Sequence, residues 1–214
     1  SIQVNWDETD MVTLIKQNSM DPQWKFNIRT LARRVPGISQ GHLITVGARS
    51  NTGKTSFHAS LVMGDGGFAD QGANVAVLCN EESVQRVRMR YINAATGRTG
   101  KEILDDVDSN LMVYREKSKN VKHTDATAKT MDWVEAVCKR YKPDVLILDM
   151  GDKFAKTSTT ISTHELLKQN AIHARQIAKQ HECAIFYMSQ LAAEAEGRIV
   201  LDQSMMEGSK TGKA

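Results

Sequence analysis

A short apolar run, Leu43-Ile44-Thr45-Val46, leads directly into Gly47–Ser56, GARSNTGKTS, and from there into Phe57-His58-Ala59-Ser60-Leu61-Val62-Met63. A strand, a Gly-containing loop closing on Gly-Lys-Thr and then a helix leave few folds open, because this is the setting of a phosphate-binding loop. Backbone N–H groups that converge in such a loop, backed by a helix N-terminus, make a cradle for phosphate oxygens. Gly53 is expected to let the backbone approach the phosphates without a Cβ clash. Lys54 is expected to reach the β- and γ-phosphates, and the Thr55 hydroxyl to ligate Mg²⁺. The loop thus nominates Ala48, Arg49, Ser50, Asn51, Thr52, Gly53, Lys54, Thr55 and Ser56 as nucleotide-binding residues. One letter departs from the strict pattern: Ala48 stands where the motif has its first glycine, and the glycine sits one position earlier, at Gly47. The plainer reading is an ordinary Ser/Gly/Asn turn ahead of a capped helix.

Downstream, apolar runs alternate with helical periodicity. Val75-Ala76-Val77-Leu78-Cys79 and Val145-Leu146-Ile147-Leu148 read as strands buried on both faces. Ala184-Ile185-Phe186-Tyr187-Met188 reads as another strand, and Leu111-Met112-Val113-Tyr114 as a weaker one, followed by a basic stretch through His123. Helices are expected from about Val84 to Ala95, along the stripe Met131, Val134, Cys138 and Tyr141, and along Leu166, Leu167, Ala171, Ala174, Ile177 and Ala178. Gly64-Asp65-Gly66-Gly67 closes the helix after the loop. The expected fold is α/β, a mainly parallel twisted sheet with helices on both faces. Residues 1–24 read as an N-terminal extension, with Met11, Leu14 and Ile15 on one helical stripe that Asp7 or Thr9 caps; the helix docks on its own domain or on a neighbouring subunit. Residues 25–191 form the core, and 192–214 a polar, Gly-containing end.

Parallel sheets bind ligands beyond the carboxyl ends of their strands, and polar residues gather there. Asp149, after four apolar residues, is placed to bind Mg²⁺, directly or through water; the plainer reading is an acid ending a buried strand. Glu81 or Glu82 is placed to orient or deprotonate an attacking water, or to serve the dipole of the following helix. Spacing does not choose between the two acids. Gln190 can donate to a γ-phosphate while accepting from a neighbour, or is a surface amide. The tail carries Arg198, Gly208, Ser209 and Lys210, suited to a nucleic-acid backbone or to solvent alone.

Composition removes other classes. The 214 residues suffice for one sizeable core, and 28 basic against 25 acidic residues give a net charge of +3, which neither demands nor excludes nucleic acid. Cys79, Cys138 and Cys183 lie in apolar segments with no metal-ligand spacing, as buried thiols of a reducing cytosol do. No apolar run is long enough for a membrane span, and Ser1-Ile2-Gln3-Val4-Asn5 is not a secretory signal.

These motifs together resemble the DnaB-like replicative helicases. Ala48-Arg49-Ser50-Asn51-Thr52-Gly53-Lys54-Thr55 is similar to that family's phosphate loop, which often opens with Ala-Arg. Asn80-Glu81-Glu82-Ser83 resembles its second motif, especially in the phage primase–helicase branch; Asp149 resembles the Walker B acid, and Met188-Ser189-Gln190-Leu191 the Ser-Gln-Leu motif. The resemblance covers about residues 25–214 and implies a RecA-like P-loop NTPase that uses ATP, or another nucleoside triphosphate, with Mg²⁺. It implies Glu81 as the catalytic acid alongside Lys54, Gln190 as a γ-phosphate sensor, and Gly208-Ser209-Lys210 facing single-stranded DNA. It further implies a hexameric ring with an arginine finger in trans, possible primase or polymerase partners, and a cytoplasmic setting in a phage replisome or nucleoid. The sequence reaches Ala214 before the family's last strands and that arginine, which is expected of a domain cut at its C-terminus. Two alternatives stay open: a filament-forming, DNA-dependent ATPase of recombinase type, and a nucleotide-binding scaffold without turnover.

Overall fold

The computed structural model of the chain describes residues 9–19, 21–156 and 162–191. After α1 (Met11–Ser19), β1 (Trp24–Lys25) pairs antiparallel with β2 (Gly37–Ile38) around the four-residue α2 (Arg29–Ala32). There follow β3 (Leu43–Ala48), α3 (Lys54–Met63), β4 (Val75–Cys79), α4 (Val84–Thr96), α5 (Gly100–Asp105), α6 (Val107–Lys117) and β5 (Val121–Asp125). Then come α7 (Met131–Tyr141), β6 (Val145–Leu148), a single 3₁₀ turn at Gly151–Lys153, α8 (Thr163–Gln180) and β7 (Ala184–Gln190).

β3 to β7 form one five-stranded sheet in the order β3-β7-β6-β4-β5, with every pair parallel. The unbroken apolar runs are explained by the two layers that cover it. Val75, Val77, Val145, Ile147, Phe186 and Met188 pack toward α3 and α4, against Ala59, Leu61, Val62, Val87 and Tyr91. The alternating residues Ala76, Leu78, Leu146, Leu148, Ile185 and Tyr187 pack toward α7 and α8, against Val134, Cys138, Ala174 and Ile177. Residues of one strand point alternately to the two faces, so a strand covered on both sides favours apolar residues at every position along its covered length.

Two expectations change. The segment Leu111–Tyr114 lies inside α6 and is not a strand. Asp106 caps that helix by accepting from the Ser109 N–H at 3.3 Å. Asn110 and Tyr114, one helical turn apart, are its buried pair, and Met112 is exposed. Burial along the segment therefore follows the period of a helix rather than alternation, and Met112 and Val113 are apolar residues left exposed. The strand of this region is β5, in the basic stretch that follows. Its inward positions are Val121 and His123, with Lys122 and Thr124 outward, so only one aliphatic residue advertises it. The second change concerns the cap of α1: Asp10 Oδ1 accepts from the N–H groups of Val12 and Thr13, both at 3.0 Å, while Asp7 lies outside the described residues. No helix among the described residues is long and apolar enough to cross a membrane.

Candidate active site

The phosphate loop follows from β3 and its neighbour. β3 runs beside β7 with Gly47 opposite Ser189 and Ala48 opposite Gln190, so the loop leaves the sheet next to the Ser-Gln pair. Gly53 then caps α3 at φ +88°, a left-handed conformation that favours glycine. A Cβ there would meet no protein atom within 4 Å, so backbone conformation, not crowding within the protein, selects the glycine. Asn51 also has positive φ, and the Thr52 hydroxyl donates to the Arg49 carbonyl at 2.7 Å, which pins the loop from within.

Lys54 and Thr55 open α3 and are both buried. The Lys54 ammonium has no hydrogen-bond partner among the described residues, and Glu81 Oε2 stands 4.0 Å away. A buried charge without a hydrogen-bonded partner is costly, and a helix N-terminus with exposed loop residues beside it is a place where an anion can offset that cost. Thr55 Oγ1 donates to Asp149 Oδ1 at 3.3 Å, which joins the first turn of α3 to the end of β6. Asp149 is fully buried, and its Oδ2 has no partner among the described residues. A hydroxyl touching a carboxylate that keeps one oxygen uncommitted is the oxygen donor set that a hard cation such as Mg²⁺ takes, so these residues fit that ion.

The neighbouring acids of the second motif part company. Glu81 lies between Lys54 and Lys153, with Oε1 at 3.3 Å from the Lys153 ammonium. Glu82 turns the other way, toward Arg90 of α4 at 3.8 Å. The structure thus places Glu81 beside the phosphate-loop lysine and Glu82 on the helix face, a distinction that spacing alone leaves open. Gln190, at the end of β7, has its backbone N–H held by Asp152 Oδ2 at 2.9 Å, and the same oxygen accepts from the Ser189 hydroxyl at 2.6 Å. Arg198, Gly208, Ser209 and Lys210 lie outside the described residues.

The sequence profile of the DnaB-like helicase C-terminal domain matches residues 25–205. The chain belongs to that family. A DnaB-like replicative helicase, solved in a study of its interactions with primase, superposes with a TM-score of 0.81 at 16% identity. That match takes in 95% of this chain but 54% of the other, so the chain spans about half the length of that helicase. A second solved structure, an ATPase domain, superposes with a TM-score of 0.80 at 17% identity over 93% of this chain and 76% of its own. No curated protein sequence matches the chain. The fold is thus the RecA-like one of helicase ATPase domains.

Within this helicase-family domain, four side chains near the site were passed over in the sequence. Asn80 clamps two strand ends: its Nδ2 donates to the Met150 carbonyl at 2.9 Å, and its Oδ1 accepts from the Met150 N–H at 3.0 Å. Asp152 and Lys153, in the turn after Asp149, hold the end of β7 and Glu81 respectively. Gly151 permits that turn, because a Cβ would overlap the Tyr187 ring. His58 is fully buried, with Nε2 at 2.8 Å from Asp149 Oδ1 and Nδ1 at 2.9 Å from the Tyr91 hydroxyl. A signal for it existed: His58 stands three residues after Thr55 in the helix that the loop opens, hence on the same face. Burial, then the Asp149 charge, pushes the Tyr91 hydroxyl well above its ordinary pKa. Burial first, and then Asp149 and Asp125, raise the Cys79 thiol to about 12, so it stays protonated beside the site.

Proposed function

We propose that this domain is the motor of a replicative DNA helicase, binding and hydrolysing ATP or another nucleoside triphosphate to move on single-stranded DNA and unwind duplex. The observation that carries this reading is the buried Lys54 ammonium, short of hydrogen bonds at the N-terminus of α3, with Glu81 and the Thr55–Asp149 pair converging on the same end of the sheet.

In this reading the loop N–H groups and Lys54 bind the β- and γ-phosphates, while Thr55 and Asp149 hold Mg²⁺. The ion supplies charge neutralisation on the phosphate oxygens. Glu81, kept close by Lys54 and Lys153, orients a water for in-line attack at the γ-phosphorus and takes up its proton. The new P–O bond forms as the bond from the γ-phosphorus to the bridging oxygen breaks, and the nucleoside diphosphate leaves with that electron pair. Gln190 touches the γ-phosphate and passes its presence or absence to Asp152 and the end of β7. Arg198, Gly208, Ser209 and Lys210 contact single-stranded DNA. A hexameric ring supplies an arginine from a neighbouring subunit, and primase or polymerase partners act beside it. The extension 1–24, the core 25–191 and the DNA-facing segment 192–214 are the working divisions of the chain.

The test is Mg²⁺-dependent ATPase activity with and without single-stranded DNA, on the intact chain and on one extended at its C-terminus. Lys54→Ala is expected to lose nucleotide binding or turnover; unchanged DNA-stimulated activity in that variant sinks the reading. Charge reversal at Lys210 is expected to weaken single-strand binding and reduce its salt slope by about 1; an unaltered slope removes Lys210 from the DNA surface.

A further inference from the structure

The His58 imidazole lies directly behind the carboxylate read as the metal ligand. Its Nε2 is 2.8 Å from Asp149 Oδ1, the same oxygen that the Thr55 hydroxyl reaches at 3.3 Å. An ionised carboxylate only accepts hydrogen bonds, so Nε2 carries the hydrogen, and Nδ1 is left to accept from the Tyr91 hydroxyl at 2.9 Å. Tyr91 in turn packs edge-on against His123 of β5, with ring centroids 4.4 Å apart at 86°. Both His58 and Asp149 have no solvent exposure, and Tyr91 is equally buried. The chain of contacts therefore runs from the edge strand through two helices to the end of β6.

We infer that His58, oriented by Tyr91, is a positioning residue that fixes the Asp149 carboxylate so that one oxygen is spent on the protein and the other stays available to the metal–nucleotide complex. This rests on the nucleotide-site reading above. Three features carry it. Both protein donors converge on Oδ1, while Oδ2 has none among the described residues. Without the imidazole, a carboxylate in an apolar interior has two equivalent oxygens to offer Thr55 and no reason to keep one orientation. The imidazole itself has two partners at near-ideal distances, so its own ring plane is fixed. Groups that orient a metal-binding side chain from behind typically contribute 10–100-fold to metal affinity. A histidine between a tyrosine hydroxyl and a carboxylate costs nothing in unpaired donors, because both ring nitrogens are used.

The experiment measures Mn²⁺ binding to the intact 214-residue chain in the presence of saturating ADP, by electron paramagnetic resonance, with ADP binding in EDTA and thermal unfolding measured in parallel. His58→Leu is expected to weaken Mn²⁺ binding by about 10–100-fold and to leave metal-free ADP binding within about twofold. His58→Gln, whose amide N–H can take the place of Nε2–H, is expected to recover most of that loss. Tyr91→Phe keeps the ring and removes the hydroxyl, and is expected to weaken Mn²⁺ binding by about three- to tenfold, the scale of one hydrogen bond. A folded His58→Leu chain with wild-type Mn²⁺ affinity overturns the inference. If that variant does not fold, wild-type affinity in Tyr91→Phe overturns it instead. Lys54→Ala is the control for the underlying reading: if it binds Mn²⁺–ADP as the wild type does, the nucleotide site itself is misplaced, whatever His58 does.

Discussion

The interior strands β4, β6 and β7 differ from the edge strand β5 in both their faces and their ends. Each interior strand is apolar through its buried run, Ser189 of β7 excepted, and stops at a residue of the proposed site: β4 at Asn80-Glu81, β6 at Asp149, β7 at Gln190. β5 is polar apart from Val121, and the acid at its end, Asp125, is spent locally, accepting from the Thr127 N–H at 2.9 Å. The difference teaches that a strand end becomes a site through its position in the sheet. Glu81 and Asp125 both sit at carboxyl ends of adjacent parallel strands, but only Glu81 lies next to the phosphate loop, because β5 is the strand farthest from β3. Glu81→Gln is therefore expected to lower ATP turnover by about 10²–10⁴-fold, the usual contribution of a positioned general base, with ATP binding retained in an equilibrium assay. Asp125→Asn and Glu82→Gln are expected to stay within a few-fold of wild type. Loss of turnover in Glu82→Gln with Glu81→Gln active reverses the assignment of the acid, and loss in Asp125→Asn breaks the distinction between interior and edge.

The same comparison has an energetic side. Ile147 is fully buried in the central β6, and Val121 lies at the rim of the same core in β5. Ile147→Ala is expected to cost about 2–5 kcal/mol in urea unfolding, because the packed layers on that face relax only partly around the lost volume. Val121→Ala, with fewer carbons removed at a partly open site, is expected to cost about 1–2 kcal/mol. Equal costs would mean that β5 is packed as tightly as the interior strands.

This contrast also explains what the sequence made legible. Val75–Cys79, Val145–Leu148 and Ala184–Met188 are readable as strands because both faces are covered, so period-2 alternation is filled with apolar residues on either side. The acids after the first two can then be placed at one sheet edge without coordinates. β5 is hard to see because one face is solvated and its inward residues are a valine and a histidine. Leu111–Tyr114 misleads in the opposite way, since four residues of apolar character fit a short strand as well as part of a helix; the cap at Asp106 and the burial of Asn110 with Tyr114 decide for the helix. At the site, the motif residues are legible and their supports are not. Asp152, Lys153 and Asn80 act through contacts between residues about 40 to 70 positions apart, to which no local spacing points. Spacing leaves Glu81 and Glu82 equivalent, and the two separate only once Lys153 and Arg90 take their places in space.

His123 gives the finest test of the edge strand, because it is the polar residue that β5 turns inward. Burial first, then the nearby Arg88 and His58, lowers its pKa from 6.5 to about 4, and its Nε2 has no hydrogen-bond partner among the described residues. In the unfolded chain the ring takes up a proton near pH 6.5; in the folded chain it resists until about pH 4. Protons thus bind preferentially to the unfolded state between those values, so this contribution is complete above pH 6.5, falls as the pH is lowered toward 4, and levels off below it. A shift of that size corresponds to about 1–3 kcal/mol after allowance for partial solvent contact. His123→Leu keeps a side chain of similar bulk against Tyr91 and removes the titration. Urea midpoints measured from pH 7 to pH 4 are expected to fall less steeply in the variant, with the two proteins diverging only below about pH 6.5. Parallel curves would mean that His123 is open to water in the folded chain, and β5 would then be a strand with one inward residue rather than two.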